Sequence, residues 1–278
     1  SKMAILGFPL DSTVTGRPGA RFGPEALRRA SMDLESLSLR TEVDVKELPV
    51  CDLGDLHVVP GNVGESLRRL RLVSKELYEG DLLPLFVGGE HTLTLATVTA
   101  LKEVKEGEIG VLVFDAHGDL RDEFLGERLS NATVCRRLVE RLGKRSLTLV
   151  GVRMLSPEEL KAAKKNLVTL IPVYEVLNDL DKAVERCLKS LEGRELIYVS
   201  VDLDVLDPSC APGVTSPVPE GLSAKNLLDV LERVLDDRVL GFDLAELNPL
   251  YDNGETAVLA AKILVDVMGI LSKVKGYA

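Results

Sequence analysis

The sequence predicts an α/β fold of three layers, in which a mostly parallel sheet of roughly eight strands lies between two layers of helices. Short runs rich in β-branched residues alternate with amphipathic helical segments, as they do in successive βαβ units. Several runs, such as residues 111–114 and 196–201, are apolar almost throughout, which is typical of strands covered by helices on both faces. Eight strands could also close into a barrel, and the sequence leaves that alternative open.

The predicted elements follow one another at short intervals. Strands are expected at residues 3–6, 45–50, 83–87, 110–114, 146–150, 168–171, 196–201 and 239–244. Helices are expected to begin at Pro24 and to cover residues 63–78, 92–104, 132–142, 157–164, 174–191, 224–235 and 255–271. The helix at residue 157 has the clearest start, because Ser156 can cap it and Pro157 suits its first turn. No linker or repeat interrupts the pattern, so we expect a single domain over residues 1–278.

The composition argues against a nucleic-acid-binding or membrane protein. The 278 residues are 45% hydrophobic and 28% charged, and 44 acids against 34 Lys and Arg give a formal net charge of -10. An acidic chain argues against a nucleic-acid partner, since phosphate contacts need clustered Lys and Arg. No apolar run approaches the roughly 18 residues of a membrane span, and no leader opens the chain, so we expect no membrane partner.

Cysteine, glutamine and histidine usage gives three further expectations. The four cysteines are widely spaced, at Cys51, Cys135, Cys187 and Cys210. They form no CxxC motif, which favours free thiols in a reducing cytoplasm over disulfides or a thiolate zinc site. The chain has no Gln, which indicates a hot environment because amides are thermolabile. Any histidine chemistry must use His57, His91 or His117, since the chain has no other histidine.

Two of the three histidines and five acids follow the carboxyl ends of four predicted strands, where ligands gather in α/β folds. These residues are His91, Asp115, His117, Asp119, Asp202, Asp204 and Glu246. Residues two apart in an extended segment share a side, so Asp115, His117 and Asp119 would face one way, as would Asp202 and Asp204. Such acids repel one another when partly buried, and they need compensating positive charge.

Two divalent cations would supply that charge, because their +4 balances the four Asp of the set. The six candidate ligands, which are the set without Glu246, are carboxylates with a minority of imidazole. This mixture suits Mn²⁺ better than Zn²⁺, and two such ions about 3.5–4 Å apart can share and activate one water. His57 has no acids around it and is expected in a surface loop, and Cys210 is expected to have a packing role.

Three segments resemble the signatures of the ureohydrolase family, which contains the arginases and agmatinases. GGEHT at residues 88–92 is similar to GG[DE]H[ST], DAHGD at residues 115–119 to DAHxD, and residues 200–213 to SxDxDxxDPxxAPG. The resemblance spans nearly the whole chain. It implies a three-layer α/β fold with two Mn²⁺ per chain on the six candidate ligands. It also implies that a metal-bridging hydroxide attacks a guanidinium carbon, so that urea and an amine are released.

The resemblance extends to the substrate. Glu246 matches the family carboxylate that binds the guanidinium, a role that suits a bidentate acceptor not used by metal. Asp243 is a weaker candidate for a residue that supports the metal ligands from behind. RPGARFGP at residues 17–24 and NPLYD at residues 248–252 are agmatinase-like, so the first expected substrate is agmatine, hydrolysed to putrescine and urea. Arg121 is reminiscent of formimidoylglutamases, whose substrate is anionic. A formimidoylglutamase or another guanidino-acid hydrolase is therefore the alternative.

One position departs from the family pattern. Residues 130–132 read Ser-Asn-Ala, where most agmatinases and arginases carry a histidine in the middle. An amide cannot titrate near neutral pH, so Asn131 is expected to position the substrate while solvent or the metal-bound water protonates the amine. We assign Asp119, Glu246 and Asn131 to catalysis, and Glu246, Asn131 and Arg121 to substrate binding.

The sequence leaves two other classes of protein open. A single-zinc deacetylase of the related fold would not need His91 or Asp119, and both are present. A catalytically silent relative with a binding or assembly role is supported only by Asn131 and Arg121. The resemblance also implies a homo-oligomer, either a trimer or a hexamer.

Overall fold

The central sheet has eight strands, each parallel to its neighbours, in the computed structural model, which describes residues 1–278. The strands are β1 Met3–Phe8, β2 Leu37–Ser38, β3 Val43–Asp44, β4 Val50–Asp55, β5 Leu83–Gly88, β6 Ile109–Phe114, β7 Leu147–Val152, β8 Thr169–Pro172, β9 Leu196–Asp202 and β10 Val239–Ala245. The order across the sheet is β4-β1-β5-β10-β9-β6-β7-β8, while β2 and β3 form a separate antiparallel ribbon. Because β4 and β8 lie at opposite edges, the sheet is open and the barrel alternative is wrong.

Helices cover both faces of the sheet. They are α1 Gly23–Ser31, α2 Val63–Glu79, α3 Leu93–Val104, α4 Val134–Leu142, α5 Pro157–Asn166, α6 Val173–Asn178, α7 Leu180–Ser190, α8 Ala224–Val234 and α9 Glu255–Lys275. In β6, Leu112 and Phe114 belong to the core that contains α7, α8 and α9, whereas Val111 and Val113 belong to the core with α3, α4 and α5. The predicted three-layer α/β fold is confirmed. No helix combines the length and the apolar character that crossing a bilayer requires.

The strand predicted at residues 45–50 is wrong. Val45–Glu47 form a 3-10 turn, because the Asp44 carboxylate accepts a hydrogen bond from the Lys46 amide at 3.0 Å and caps it. The strand β4 begins only at Val50 and lies at the exposed edge of the sheet, so its polar residues gave no strand pattern.

The helix predicted over residues 174–191 is divided into α6 and α7. Asp179 has an extended backbone, with φ of -154°, and its carboxylate accepts a hydrogen bond from the Lys182 amide at 3.0 Å. This side-chain cap starts a new helix. The apolar periodicity continues across the break, which is why the sequence suggested one helix.

Four neighbouring strands in the middle of the sheet carry the candidate site residues. β5, β10, β9 and β6 follow one another in this order across the sheet. Residues 89–92 follow β5, residues 115–119 follow β6, residues 202–204 lie at the end of β9, and Glu246 follows β10. Since the carboxyl ends of parallel strands meet at one edge, the fold brings these distant segments together.

Candidate functional site

Two groups of possible metal ligands share the Asp115 carboxylate. One group is His91, Asp115 and Asp202, and the other is Asp115, His117 and Asp204. Asp115 Oδ2 lies 3.2 Å from His91 Nδ1, and Asp115 Oδ1 lies 3.4 Å from His117 Nδ1. The remaining carboxylates are as close, since Asp202 is 3.5 Å from His91 Nδ1 and Asp204 is 2.9 Å from His117 Nδ1. One carboxylate therefore faces two adjacent ligand sets with one oxygen for each.

Asp119 joins the first of these groups. Its Oδ2 lies 3.2 Å from His91 Nδ1, and its backbone has a left-handed φ of 50°. The positive φ turns the chain after the strand so that Asp119 points back toward the centre. All six predicted ligands are thus within one cluster, and only His117 among them is appreciably exposed, at 27% of its side chain.

The orientation of His91 is set by a buried hydrogen-bonded chain behind it. The Ser200 hydroxyl donates to Asp243 Oδ1 at 2.6 Å, and its oxygen lies 2.9 Å from His91 Nε2. Because the hydroxyl proton is used by Asp243, Ser200 accepts from Nε2–H, which leaves Nδ1 facing the carboxylates. Asp243 also accepts from Thr94 and Tyr198. A histidine whose far ring nitrogen donates to a fixed acceptor, here the Ser200 hydroxyl backed by Asp243, is the arrangement found at metal-ligating histidines.

The charges of the cluster need a cation. Burial and the Asp115 carboxylate raise the pKa of Asp119 to about 7. Burial alone would lower the pKa of His117, but Asp204 and Asp115 outweigh it and raise this pKa to about 12. Asp115 and Asp119 likewise outweigh burial and raise the pKa of His91. Asp115 Oδ2 is buried and accepts no hydrogen bond, and its nearest charged neighbour is His91 Nδ1 at 3.2 Å. The donor set therefore fits divalent metal ions.

Glu246 lies beside the metal-ligand cluster in a strained conformation. Its φ is 67°, and its amide donates to the Gly89 carbonyl at 2.8 Å. Its Oε1 accepts from the His91 amide at 2.8 Å, while its Oε2 is buried without a partner. Burial raises the pKa of Glu246 to about 8. One carboxylate oxygen is thus held in place and the other is available to a cationic ligand.

A cavity of about 330 Å³ opens from this cluster to the surface. Asp119, Glu246, Asn131, Arg121 and Glu159 are among the residues that line it. Glu159 Oε1 and Oε2 accept from the Leu120 and Ser156 amides. A carboxylate and a guanidinium lie side by side in the cavity wall, since Arg121 Nη2 is 4.0 Å from Glu159 Oε2.

The Asn131 side chain has a fixed orientation. Its Oδ1 accepts from the Ala132 amide at 2.9 Å, and a backbone amide can only donate, so the oxygen is identified. No protein group accepts a hydrogen bond from Asn131 Nδ2. Asn131 therefore offers a hydrogen-bond donor at the cavity wall, and it cannot serve as a titrating proton carrier.

The structure also places the residues that sequence reasoning left outside the site or missed. His57 is exposed after β4 and lies apart from the cluster, as expected, and all four cysteines are free. Ser200 was missed, although it stands two residues before Asp202 in the same strand and therefore on the same face. Glu159 was not predicted as a site residue, because the fold and not the sequence spacing brings it to the cavity.

The sequence model of the Arginase family matches residues 1–269 of the chain. The chain belongs to the arginase family. The predicted class of enzyme, an arginase-family hydrolase, is confirmed by this match. The match also favours the hydrolase over the related single-zinc deacetylase.

Individual relatives of this arginase-family chain match it over nearly its full length. The agmatinase of Bacillus subtilis is 35% identical over 267 residues, which are 95% of this chain and 90% of that protein. The mitochondrial guanidino acid hydrolase of Homo sapiens is 34% identical over 279 residues, with 98% of this chain and 78% of that protein covered. The crystal structure of an agmatine ureohydrolase from Thermoplasma volcanium has a TM-score of 0.91 at 32% identity and covers 98% of this chain and 90% of its own.

Proposed function

We propose that this chain binds two Mn²⁺ and hydrolyses a guanidino compound to urea and an amine, with agmatine as the first substrate. The observation that carries the proposal is the Asp115 carboxylate, whose two oxygens face two separate histidine-containing groups. A carboxylate that faces two ligand groups in this way would serve both ions of a two-metal hydrolytic site, in which the ions activate one water.

The side chains divide between the two proposed ions. His91, Asp115, Asp202 and Asp119 would hold one, and Asp115, His117 and Asp204 would hold the other. Two divalent ions would balance the four Asp, and an oxygen-rich set with two imidazoles favours Mn²⁺. When bound, the ions would supply a nucleophilic water at neutral pH by lowering its pKa.

The chain's own residues would place the substrate. Glu246 Oε2, which has no protein partner, would accept hydrogen bonds from the planar guanidinium. Its burial excludes competing water and strengthens this charge pairing. The strained backbone at Glu246 and the hydrogen bond from the His91 amide fix the carboxylate relative to the ligands. The guanidinium carbon would then be held next to the metal centre.

The tail of the substrate would be bound by the outer part of the cavity. Glu159 could accept from the distal ammonium of agmatine, which favours the amine. Asn131 Nδ2 and Arg121 are donors on the same wall, and this observation favours a second candidate, a substrate with a carboxylate tail, as in a guanidino acid or formiminoglutamate. The B. subtilis agmatinase and the human guanidino acid hydrolase support one candidate each.

A substrate panel tests the proposal. The Mn²⁺-loaded protein would be assayed for urea or formamide release from agmatine, arginine, guanidinobutyrate, guanidinopropionate and formiminoglutamate. We expect urea from agmatine above all. Preference for a carboxylate-bearing compound would replace the first candidate with the second. If the metal-loaded protein hydrolyses none of the five compounds, the proposed hydrolase activity is rejected and a catalytically silent relative is favoured.

We also propose a domain organisation, a cellular location and an assembly state for the enzyme. Residues 1–278 would act as a single domain, in the cytoplasm of a thermophilic organism and as a trimer or hexamer, as the family resemblance and the composition suggest. The four free thiols support a reducing compartment. Light scattering coupled to gel filtration would give the assembly size, and a monomer would contradict the oligomer.

A further inference from the structure

Glu90, the residue before His91, holds the chain that follows β1. Its side chain is fully buried and accepts two hydrogen bonds from Thr13, one from the backbone amide to Oε2 at 2.6 Å and one from the hydroxyl to Oε1 at 2.6 Å. Thr92 donates a third, to Oε1 at 2.7 Å. Burying a carboxylate costs free energy unless hydrogen-bond donors surround it. Separating Thr13 or Thr92 from Glu90 would therefore destabilise the folded protein.

The two chain segments are also fixed through their backbones. The Glu90 amide donates to the Leu10 carbonyl at 2.7 Å, and the Gly89 amide donates to the Phe8 carbonyl at 2.8 Å. A Cβ at Gly89 would lie only 2.0 Å from the Leu10 carbonyl oxygen, so glycine is needed for this approach. The position of Thr13 relative to the metal-ligand segment is therefore tightly determined.

Thr13 reaches the substrate cavity through one further hydrogen bond. The Asn131 amide donates to the Thr13 hydroxyl oxygen at 3.1 Å. The hydroxyl proton is already donated to Glu90, so the bonds run in one direction, from Asn131 through Thr13 to Glu90. Two residues further along, Thr15 lines the same cavity as Asn131.

We infer that Thr13 is a positioning residue for the substrate cavity, which fixes the turn containing Asn131 relative to the segment that carries His91. Thr13 makes no hydrogen bond to a proposed metal ligand, and without its hydroxyl Glu90 still accepts from the Thr13 amide and from Thr92. Loss of the hydroxyl should therefore act on the cavity wall and leave the proposed ligands in position. The inference rests on the proposed function for its effect on substrate, whereas the hydrogen bond to Asn131 can be measured without any activity.

Thr13→Val tests the inference, because valine keeps the branched shape and removes the hydroxyl. Without the hydroxyl the Asn131 amide has no acceptor, so the Asn131 side chain is held less firmly against the substrate, and KM should rise about tenfold. We expect this rise with kcat within about twofold and with unchanged Mn²⁺ content, since a wall residue acts on substrate binding. Thr13→Ser, which retains the hydroxyl, should restore KM to near the wild-type value.

Amide hydrogen exchange supplies the second readout. The Asn131 amide should exchange at least tenfold faster in Thr13→Val than in the wild type or in Thr13→Ser. Thr169→Val, a matched substitution in β8 far from the cavity, should change neither KM nor this exchange rate. Unchanged Asn131 exchange or unchanged KM in Thr13→Val would overturn the inference. An inactive wild-type protein would instead overturn the proposed function, and the exchange rates would still decide the role of Thr13.

Discussion

Ser200 lies between His91 and Asp243, with its hydroxyl donating to Asp243 at 2.6 Å and accepting from His91 Nε2 at 2.9 Å. This relationship fixes which imidazole nitrogen faces the clustered carboxylates. It also places a buried and fully hydrogen-bonded carboxylate, that of Asp243, behind a histidine that we propose as a metal ligand. The hydrogen bonds of Ser200 thus determine which ring nitrogen His91, in a different segment, can offer to a metal ion.

Ser200→Ala should weaken Mn²⁺ binding about 10- to 100-fold, the usual cost of losing the partner behind a metal-ligating histidine. Titration of the metal-free protein with Mn²⁺ measures it. Tyr198→Phe is the matched control, because it removes a different hydroxyl from the same Asp243 carboxylate without touching His91. Equal weakening by both changes would show that the loss comes from Asp243 and not from His91.

Glu246→Gln should lower kcat/KM about a hundredfold with little change in bound metal. The amide keeps an oxygen for the His91 amide but loses the charge that pairs with guanidinium, and a charge-assisted hydrogen bond is worth roughly 1.5–3 kcal/mol. Steady-state kinetics on agmatine together with metal analysis separates the two effects. Full activity in this variant would remove Glu246 from the substrate site.

Mn²⁺ affinity should rise with pH between about 6 and 8. In the metal-free protein the pKa values of His91 and His117 are raised and that of Asp119 is raised to about 7, so both histidines, and Asp119 at the acid end of this range, carry a proton that the metal must displace. Each proton released makes the dissociation constant fall about tenfold per pH unit, since lower proton activity favours the bound state. Calorimetry in buffers of different ionisation enthalpy would count the protons. A pH-independent affinity would contradict this assignment of ligands.

Asn131→Ala should leave kcat within about twofold and raise KM by about three- to tenfold, because one hydrogen bond from an amide is lost. The pH profile of kcat should not change, since an amide carries no titrating proton. Complete loss of turnover would mean that Asn131 takes part in the chemistry, contrary to our expectation.

Arg121→Ala distinguishes the two candidate substrate tails. The change should lower kcat/KM for guanidinobutyrate about tenfold, through loss of a charged partner, and leave the value for agmatine within twofold. Arg128→Ala is a matched control, because Arg128 lies in the same loop, is 58% exposed and pairs with Asp122 instead of lining the cavity. An equal effect on both substrates would remove Arg121 from recognition of the tail.

The sequence predicted the parts of this protein that depend on local pattern. Apolar runs such as β6 showed the buried parallel strands, and the carboxyl ends of those strands led directly to the six candidate ligands. The edge strand β4 was misplaced because its exposed polar residues carry no hydrophobic alternation. The break at Asp179 was missed because a side-chain cap can start a helix while the apolar periodicity continues.

Contacts between distant segments could not be predicted in this way. Thr13 meets Glu90 across 77 residues and Asn131 across 118 residues, and neither separation leaves a periodic signal. Glu159 reaches the cavity from the start of α5 for the same reason. Ser200 could have been identified, since the twofold period of a strand places it on the same side as Asp202.

The count of Mn²⁺ ions in wild-type protein and in Asp115→Ala tests the central claim most directly. Both proposed sites use Asp115, one through each oxygen. Elemental analysis after Mn²⁺ loading and gel filtration should give two ions per wild-type chain. The variant should retain none at micromolar free Mn²⁺, with its circular dichroism unchanged. One ion per chain in the wild type, or two in the variant, would contradict a centre built around this shared carboxylate.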